Sequence, residues 1–268
     1  MKKILIILLT ASIAMLASCG KKDPQTNYAG TVTDICGNTY NYVKIGEQYW
    51  MAENMRCNKY DTQSERKGAE LSTSSSETYA PYYADASNKS LWDNYSREFG
   101  IYLTKEQIEK FGLLYSWAAA AGITTATEAQ NQTAKFTGNR QGICPNGWHV
   151  PTAEEWNTLV TYIEITSGKG EGKAGTHLKT TNGWSSYDSE MHFKDTYRFS
   201  GLPSGHALGS KVKGVSSVAA FWSVTQDEHD PNYAQHRSLV YDFDSFDGRD
   251  PNHFYRKYYG MSVRCVKN

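Results

Sequence analysis

The chain has 268 residues, with 28 basic and 28 acidic side chains, so its formal charge is zero. That balance gives no electrostatic reason to expect nucleic acid as a partner. The length allows a sizeable core, in one large domain or two. The 19 Tyr and 7 Trp suit irregular structure held by large flat side chains, with core packing the commoner use of Trp.

Met1-Lys2-Lys3 is followed by an uncharged, mostly apolar run from Ile4 to Leu16. A basic start, a short apolar stretch and small residues before a cysteine form a secretory signal, too short for a membrane-spanning helix. Leu16-Ala17-Ser18-Cys19 resembles a bacterial lipobox, in which cleavage before Cys19 leaves a thiol that carries a diacylglycerol. Residues 1–18 are then a lipoprotein signal peptide, and the remainder carries 26 basic and 28 acidic residues once Lys2 and Lys3 are removed. Two or more acyl chains give stable anchoring, each buried CH₂ contributing roughly 0.8 kcal/mol. The expected location is the cell envelope, held by lipid to a membrane, with the outer membrane favoured. Its periplasmic and exterior faces both stay open. Residues 19–29, polar and aperiodic, read as the lipidated cysteine and a tether. Lys22-Asp23 is in part similar to the acidic export signal that takes some lipoproteins of the Bacteroidota to the cell exterior.

Thr31 to Asn54 reads as a small β-meander, with Cys36-Gly37-Asn38 and Gly46-Glu47 as turns and Gln48 to Met51 as its third strand. Asp61 to Asn88, including Ser74-Ser75-Ser76, reads as a surface excursion. Thr104-Lys105-Glu106-Gln107 fits a capping box ahead of a short helix. Gly112 to Ala121 is either one buried helix or, the favoured reading, a short strand leading into a helix. Thr152 and Glu155 form a second capping box, and Trp156, Leu159, Val160 and Ile163 follow on one helical face. Gly-Leu-Pro-Ser-Gly from Gly201 to Gly205 reads as a turn, Phe221 to Val224 as a strand, and Leu239, Tyr241 and Phe243 as one face of a strand over 238–243. Phe246 to Arg249 reads as a loop or hairpin turn, and Gly260 to Val266 as a closing strand.

With Cys19 lipidated, Cys36, Cys57, Cys144 and Cys265 remain. Four cysteines in an exported chain predict two disulfides, with three possible connectivities. The absence of a C-x-x-C pair argues against a zinc site.

Five segments together resemble the Fibrobacter succinogenes major paralogous domain family. They are Gly37-Asn38-Thr39-Tyr40 with Val43 to Arg56, then Gly112 to Trp117, then Cys144 to Thr152 with Glu155-Trp156. Gly201 to Gly205 with Phe221-Trp222-Ser223 is the fourth, and Gly260 to Val266 the fifth. The resemblance implies a domain over residues 30–268 with insertions near 61–110 and 123–141. The family consists mostly of exported proteins, often lipoproteins, and its molecular function is poorly defined. Cys144 to Trp156 also looks like the C-type-lectin-like fold, including its formylglycine-generating-enzyme branch. The fold class implied is therefore α+β and C-type-lectin-like, with short strands, one or two capped helices and long irregular loops. By that resemblance Cys144 pairs with Cys265, which leaves Cys36 for Cys57. Closing a loop of about 120 residues is worth roughly 4–5 kcal/mol in the chain-entropy account.

No catalytic residue is assigned. Formylglycine-generating enzymes use a reactive C-terminal cysteine pair, and Cys265 alone stands in that region here. No G-x-S-x-G elbow is present. Glu53 and Glu155 could serve a polysaccharide hydrolase, yet Glu155 already has a capping role and Glu53 suits a backbone-amide acceptor. No cofactor or metal is assigned either. Asp242 to Gly248 has the acids of a Ca²⁺ loop, but its third acid falls where an EF-hand needs glycine. Asp227, His229, Asp230 and His236 form a second polar cluster, read as exposed loop residues. The loop expected from Gln226 to Tyr259 mixes aromatics with arginines, the chemistry of recognition surfaces. Tyr233, His236, Arg237, Tyr255 and Arg256 are its candidate binding residues. The expected function is non-catalytic binding of a glycan or an envelope protein by a lipid-anchored domain. The alternatives are a subunit of a surface fibre or envelope complex, and a polysaccharide hydrolase.

Overall fold

The computed structural model describes residues 27–71, 81–82, 109, 111–123, 138–167, 172–185, 193–208, 211–247 and 253–268. The signal segment, Cys19, most of the tether, Ser74 to Ser76, the capping box at Thr104 and the end of the acidic loop at Gly248 lie outside them.

The expected meander is β1 (Gly30–Thr33), β2 (Thr39–Ile45) and β3 (Gln48–Met51), paired antiparallel in sequence order. Two short strands from far along the chain extend it, β12 (Val266–Lys267) and β6 (Trp148–His149), giving the order β1-β2-β3-β12-β6. Along β2 the side chains of Val43 and Ile45 are buried between less buried neighbours, the period of two that a half-buried strand requires.

A second sheet is built from β7 (Ser204–Leu208), β8 (Lys211–Val215), β9 (Val218–Gln226), β10 (Tyr233–Val240) and β11 (Phe254–Arg256), in the order β11-β10-β9-β7-β8. All its pairings are antiparallel except β7 with β9. Two sequence expectations are corrected here. The turn expected over 201–205 runs into a strand, and the loop expected over 226–259 contains β10 and β11. The glycines that signal a turn serve close approach instead. A Cβ at Gly201 would come within 2.5 Å of Leu239 Cδ1 and 2.9 Å of the Leu178 carbonyl, and one at Gly205 (φ +72°) would overlap the Lys213 carbonyl. The strand expected over 238–243 also ends early, at Val240, where a turn follows.

Leu114–Tyr115 (β5) pairs with Pro81–Tyr82 (β4) and leads directly into α1 (Trp117–Ala121), the strand-then-helix reading. Ser116 caps α1 and Gly122, left-handed at φ +66°, ends it. The capping box of α2 (Ala153–Thr166) forms as expected: Thr152 Oγ1 accepts from Glu155 N, and Glu155 Oε2 accepts from Thr152 N at 2.8 Å. Trp156, Leu159 and Ile163 of α2 are buried. A third helix, α3 (Ala174–Leu178), follows. The fold is mixed α+β, and among the described residues no helix is long and apolar enough to cross a membrane.

Trp50, Trp117, Trp148, Trp156 and Trp222 are all core residues. Trp156 lies 4.5 Å from the Trp50 ring and between 5.6 and 6.1 Å from those of Phe199, Phe221 and Phe246. Pairs of this kind add about 0.5–1.5 kcal/mol each beyond the area they bury.

The last nine residues, from Gly260 on, join everything. Gly260 pairs with Ala207, Met261 with Tyr115, Ser262 with Phe221, and Val266 with Trp50 and His149. Cys265 is bonded to Cys144 and Cys36 to Cys57. The C-terminal segment is therefore the seam between both sheets, pinned covalently to the turn ahead of α2.

Candidate functional site

Register places the candidate binding residues. Tyr233 stands opposite Arg256 and Ala234 opposite Tyr255 in the β10–β11 pair. Directly opposed residues share a face, and consecutive ones point to opposite faces. Tyr233 and Arg256 therefore form one rung: Arg256 Nε donates to Tyr233 Oη at 3.0 Å, and the guanidinium lies 5.4 Å from that ring's centre. Tyr255 forms the centre of a second set. A register shift in β10 between Ala234 and His236 sets the His236 ring 4.8 Å from Tyr255. His206 of β7 stands 6.2 Å from Tyr255 and 6.0 Å from Tyr259.

A tight turn after β11 joins the two sets. Tyr259 N donates to the Arg256 carbonyl at 3.0 Å, Tyr259 packs edge-on to Tyr255 at 4.7 Å, and Tyr258 stacks on Tyr259 at 5.2 Å. The Arg256 guanidinium is 6.0 Å from the Tyr258 ring. Arg256 is exposed, and Tyr233, Tyr255, Tyr258, Tyr259 and His206 are half-buried. Burial, with a smaller push from Lys213, holds the His206 imidazole below its usual pKa, which favours its neutral form. The Tyr233 hydrogen bond raises that of Arg256 further.

Lys257 fixes this surface to the core. Its side chain is buried, its Nζ donates to Gln226 Oε1 at 2.9 Å, and it sits 4.1 Å over the Trp117 ring. Burial pushes its pKa down to about 8, against the pull of Asp230. Its carbonyl accepts from Trp117 N at 3.0 Å and its own N–H donates to Asn232 O at 2.9 Å. The aromatic turn is thus bolted to α1 and to the β9–β10 connection.

His236 is also buried, at 4 % exposed, but packs on Tyr255, whereas Arg237 stands apart from the other candidates in its partners. It is 3 % exposed, with Nη1 3.2 Å from Asp247 Oδ2 and Nη2 2.5 Å from Asn157 Oδ1 of α2. It fastens β10 to α2. Sequence reasoning also passed over His206, which comes from β7 and reaches the cluster only through sheet order. Tyr258 and Tyr259 were legible as part of an aromatic-rich stretch, without individual roles.

The remaining candidates have local partners. Glu53 Oε1 accepts from Asn41 N and Nδ2 at 2.9 and 3.0 Å, and Oε2 from Arg56 at 3.0 Å. Glu155 bonds Thr152 and, at 2.7 Å, His149 Nε2. Burial raises its pKa, but those hydrogen bonds outweigh the rise and hold it low. Asp227 and Asp230 accept backbone N–H groups within their own turn, from His229 at 2.8 Å and Asn232 at 2.9 Å. His236 Nδ1 is 3.1 Å from the His253 carbonyl, away from them. Asp244 is bonded by Lys173 and, at 3.0 Å, by Thr176 Oγ1.

Among the described residues, one group of potential metal-ligand atoms lies within 4.8 Å of one another: Asp34, Cys36 and Cys57. Both sulfurs are in the disulfide. The Asp34 carboxylate accepts from Cys36 N, Asn38 N and Nδ2, and Tyr40 Oη. A hard cation such as Ca²⁺ takes six to eight oxygen ligands, and this group offers one carboxylate already saturated by donors.

No curated protein and no solved structure matches the chain. The family model of the Fibrobacter succinogenes major domain matches residues 43–267, from β2 through both sheets and α2 to the closing seam at β12. On that match, spanning most of its length, the chain belongs to the Fibrobacter succinogenes major domain family.

Proposed function

We propose that this chain is a lipid-anchored, non-catalytic binding protein of the cell envelope, most simply of the outer membrane, and that the turn after β11 receives a glycan or protein ligand. One observation carries the reading. Tyr233, Tyr255, Arg256, Tyr258 and Tyr259 form a continuous, part-exposed set of rings and one cation, mounted on a buried lysine and tryptophan. Rigid aromatic side chains give contact area at low entropic loss. The C-type-lectin-like fold is part of the proposal. It is supported by a cysteine ahead of the capped α2 that is bonded to a cysteine beside the terminal strand.

The test uses the full-length chain in detergent, on a glycan array and in pull-downs from envelope extracts. Tyr255→Ala and Tyr258→Ala should each lower binding by about tenfold, in line with the ~1.4 kcal/mol that a well-placed ring supplies. Binding that survives both would remove the site. Palmitate labelling that persists in Cys19→Ala would remove the anchor.

A further inference from the structure

Arg256 differs from Arg56, Arg237 and Arg264 in what it touches. Arg237 and Arg56 each meet a carboxylate, Asp247 and Glu53, at 3.2 and 3.0 Å. Arg264 is fully buried against amide and carbonyl oxygens. Arg256 is exposed; its Nε donates to the Tyr233 phenol at 3.0 Å, and its guanidinium lies 6.0 Å from the Tyr258 ring. A guanidinium carries five N–H donors in a planar fork. One phenol and two neighbouring rings hold that fork without neutralising it.

Resting on the function proposed above, we propose that Arg256 is the specificity-determining residue of this surface, and that the ligand is a glycan bearing a sugar-ring carboxylate, a uronic acid. Three features choose this chemistry. The fork matches a planar carboxylate with two parallel hydrogen bonds. Tyr258, stacked on Tyr259 beside the guanidinium, offers a flat apolar face to the C–H side of a pyranose. The third is the fixed base: Tyr258 and Tyr259 follow Lys257, whose ammonium lies on Trp117, so both rings are set before the ligand arrives. Among the described residues, Asp230 is an opposing charge. Its carboxylate feels Arg256, yet it is bonded to the Asn232 N–H and side-chain amide at 2.9 and 2.8 Å. It tempers the cation without capping it.

The experiment is calorimetric titration of the full-length chain in detergent with galacturonate, mannuronate and guluronate oligomers and hyaluronan fragments. Each is compared with the same oligomer after carboxyl reduction, and a sulfated, carboxyl-free oligosaccharide forms a third arm. At least one uronate should bind about tenfold or more tighter than its reduced form, as expected for a charged hydrogen bond, and the difference should shrink at high salt. Arg256→Gln should abolish that difference, so that uronate and reduced oligomer bind alike. Arg256→Lys, keeping the charge and losing the fork, should restore little of it. Asp230→Asn should tighten the uronate. Equal binding of uronate and reduced oligomer overturns the role of Arg256 while the aromatic binding surface stands. Preference for the sulfated arm overturns the carboxylate assignment. No binding in any arm, or retention only of acidic proteins in pull-downs, overturns the glycan itself. Arg256 is exposed, so its variants should keep the parent's near-ultraviolet dichroism.

Discussion

Arg264 grips Asn54 twice across 210 residues of chain, its Nε and Nη2 donating to the same Oδ1 at 3.0 and 2.7 Å. The same guanidinium donates to the carbonyls of Met51 (3.2 Å), Phe199 and Ser200 (3.2 Å). The Phe199 ring lies 4.4 Å away. Burial pushes the Arg264 pKa down to about 9, against the pull of Glu53 and Asp195, neither of which it bonds directly. A fully buried cation satisfied by neutral oxygens depends on having a donor for each of them. Arg264→Lys has three donors in one compact head and cannot serve four acceptors spread around a plane. It should lose about 3–5 kcal/mol, read as a lowered urea midpoint at unchanged slope. A loss under about 1 kcal/mol would contradict this account.

The two disulfides should behave differently. They close loops of 21 and 121 residues, worth roughly 3 and 5 kcal/mol in the chain-entropy account. Exposure separates them further: Cys36 is exposed, whereas Cys144 and Cys265 are fully buried. Mild thiol reductant under native conditions should open Cys36–Cys57 first, and Cys144–Cys265 only when the domain unfolds. Mass spectrometry of alkylated peptides reads the order. The reverse order would mean that the C-terminal seam opens before the meander.

Much of this architecture is legible in the sequence because it is local. The Thr152–Glu155 box sets the start of α2, and the spacing of Trp156, Leu159 and Ile163 gives its buried face. The meander is legible through Gly37 and Gly46 at its turns. What is not legible is long-range. Gly201 and Gly205 carry the same letters as turn glycines, and only the packing of Leu239, Leu178 and β8 against them shows a different use. Arg237 reads as a binding residue in an aromatic-rich stretch, because nothing nearby announces Asn157, 80 residues earlier, as its partner. His206 joins the aromatic cluster only because β7 pairs with β9 in parallel, a choice of sheet order that no local pattern encodes.

Two buried lysines make stability depend on alkaline pH. Burial lowers Lys179 and Lys257 from the usual lysine range to about 8, each drawn partly back by nearby aspartates. Between pH 8 and the unfolded value of about 10.4 the unfolded chain holds more protons than the folded one. Stability should therefore rise with pH across that window, by up to ~1.4 kcal/mol per unit for each lysine. The gain is complete above the window and lost as pH falls through 8. Tyr40 acts oppositely: burial, then Asp34, raises its phenol well above 10, so above pH 10 its loss offsets the continuing gain from Arg264, lowered to about 9, and the rise should level off. Urea midpoints at half-unit steps from pH 7 to 11 test this. Lys179→Met should flatten the rising limb, and an unchanged limb would show that Lys179 is charged and well accommodated.

Arg237 and Asp247 give the sharpest separation of stability from binding. Both side chains are buried, 4 % and 9 % exposed, and 3.2 Å apart. Asp247 also accepts the Ser238 N–H at 2.5 Å and lies 3.5 Å from His253 Nδ1. Removing one member leaves the other as a buried charge, so Arg237→Met and Asp247→Asn should each lose about 3–5 kcal/mol. The double variant should lose clearly less than the sum, because the stranded charge is gone in both. Ligand affinity, measured on the fraction still folded, should stay within about twofold in Arg237→Met, whereas Tyr255→Ala should lose binding with a smaller fall in urea midpoint than Arg237→Met. Arg237→Met abolishing binding in a folded chain would place the ligand at the β10–α2 junction instead of the turn after β11.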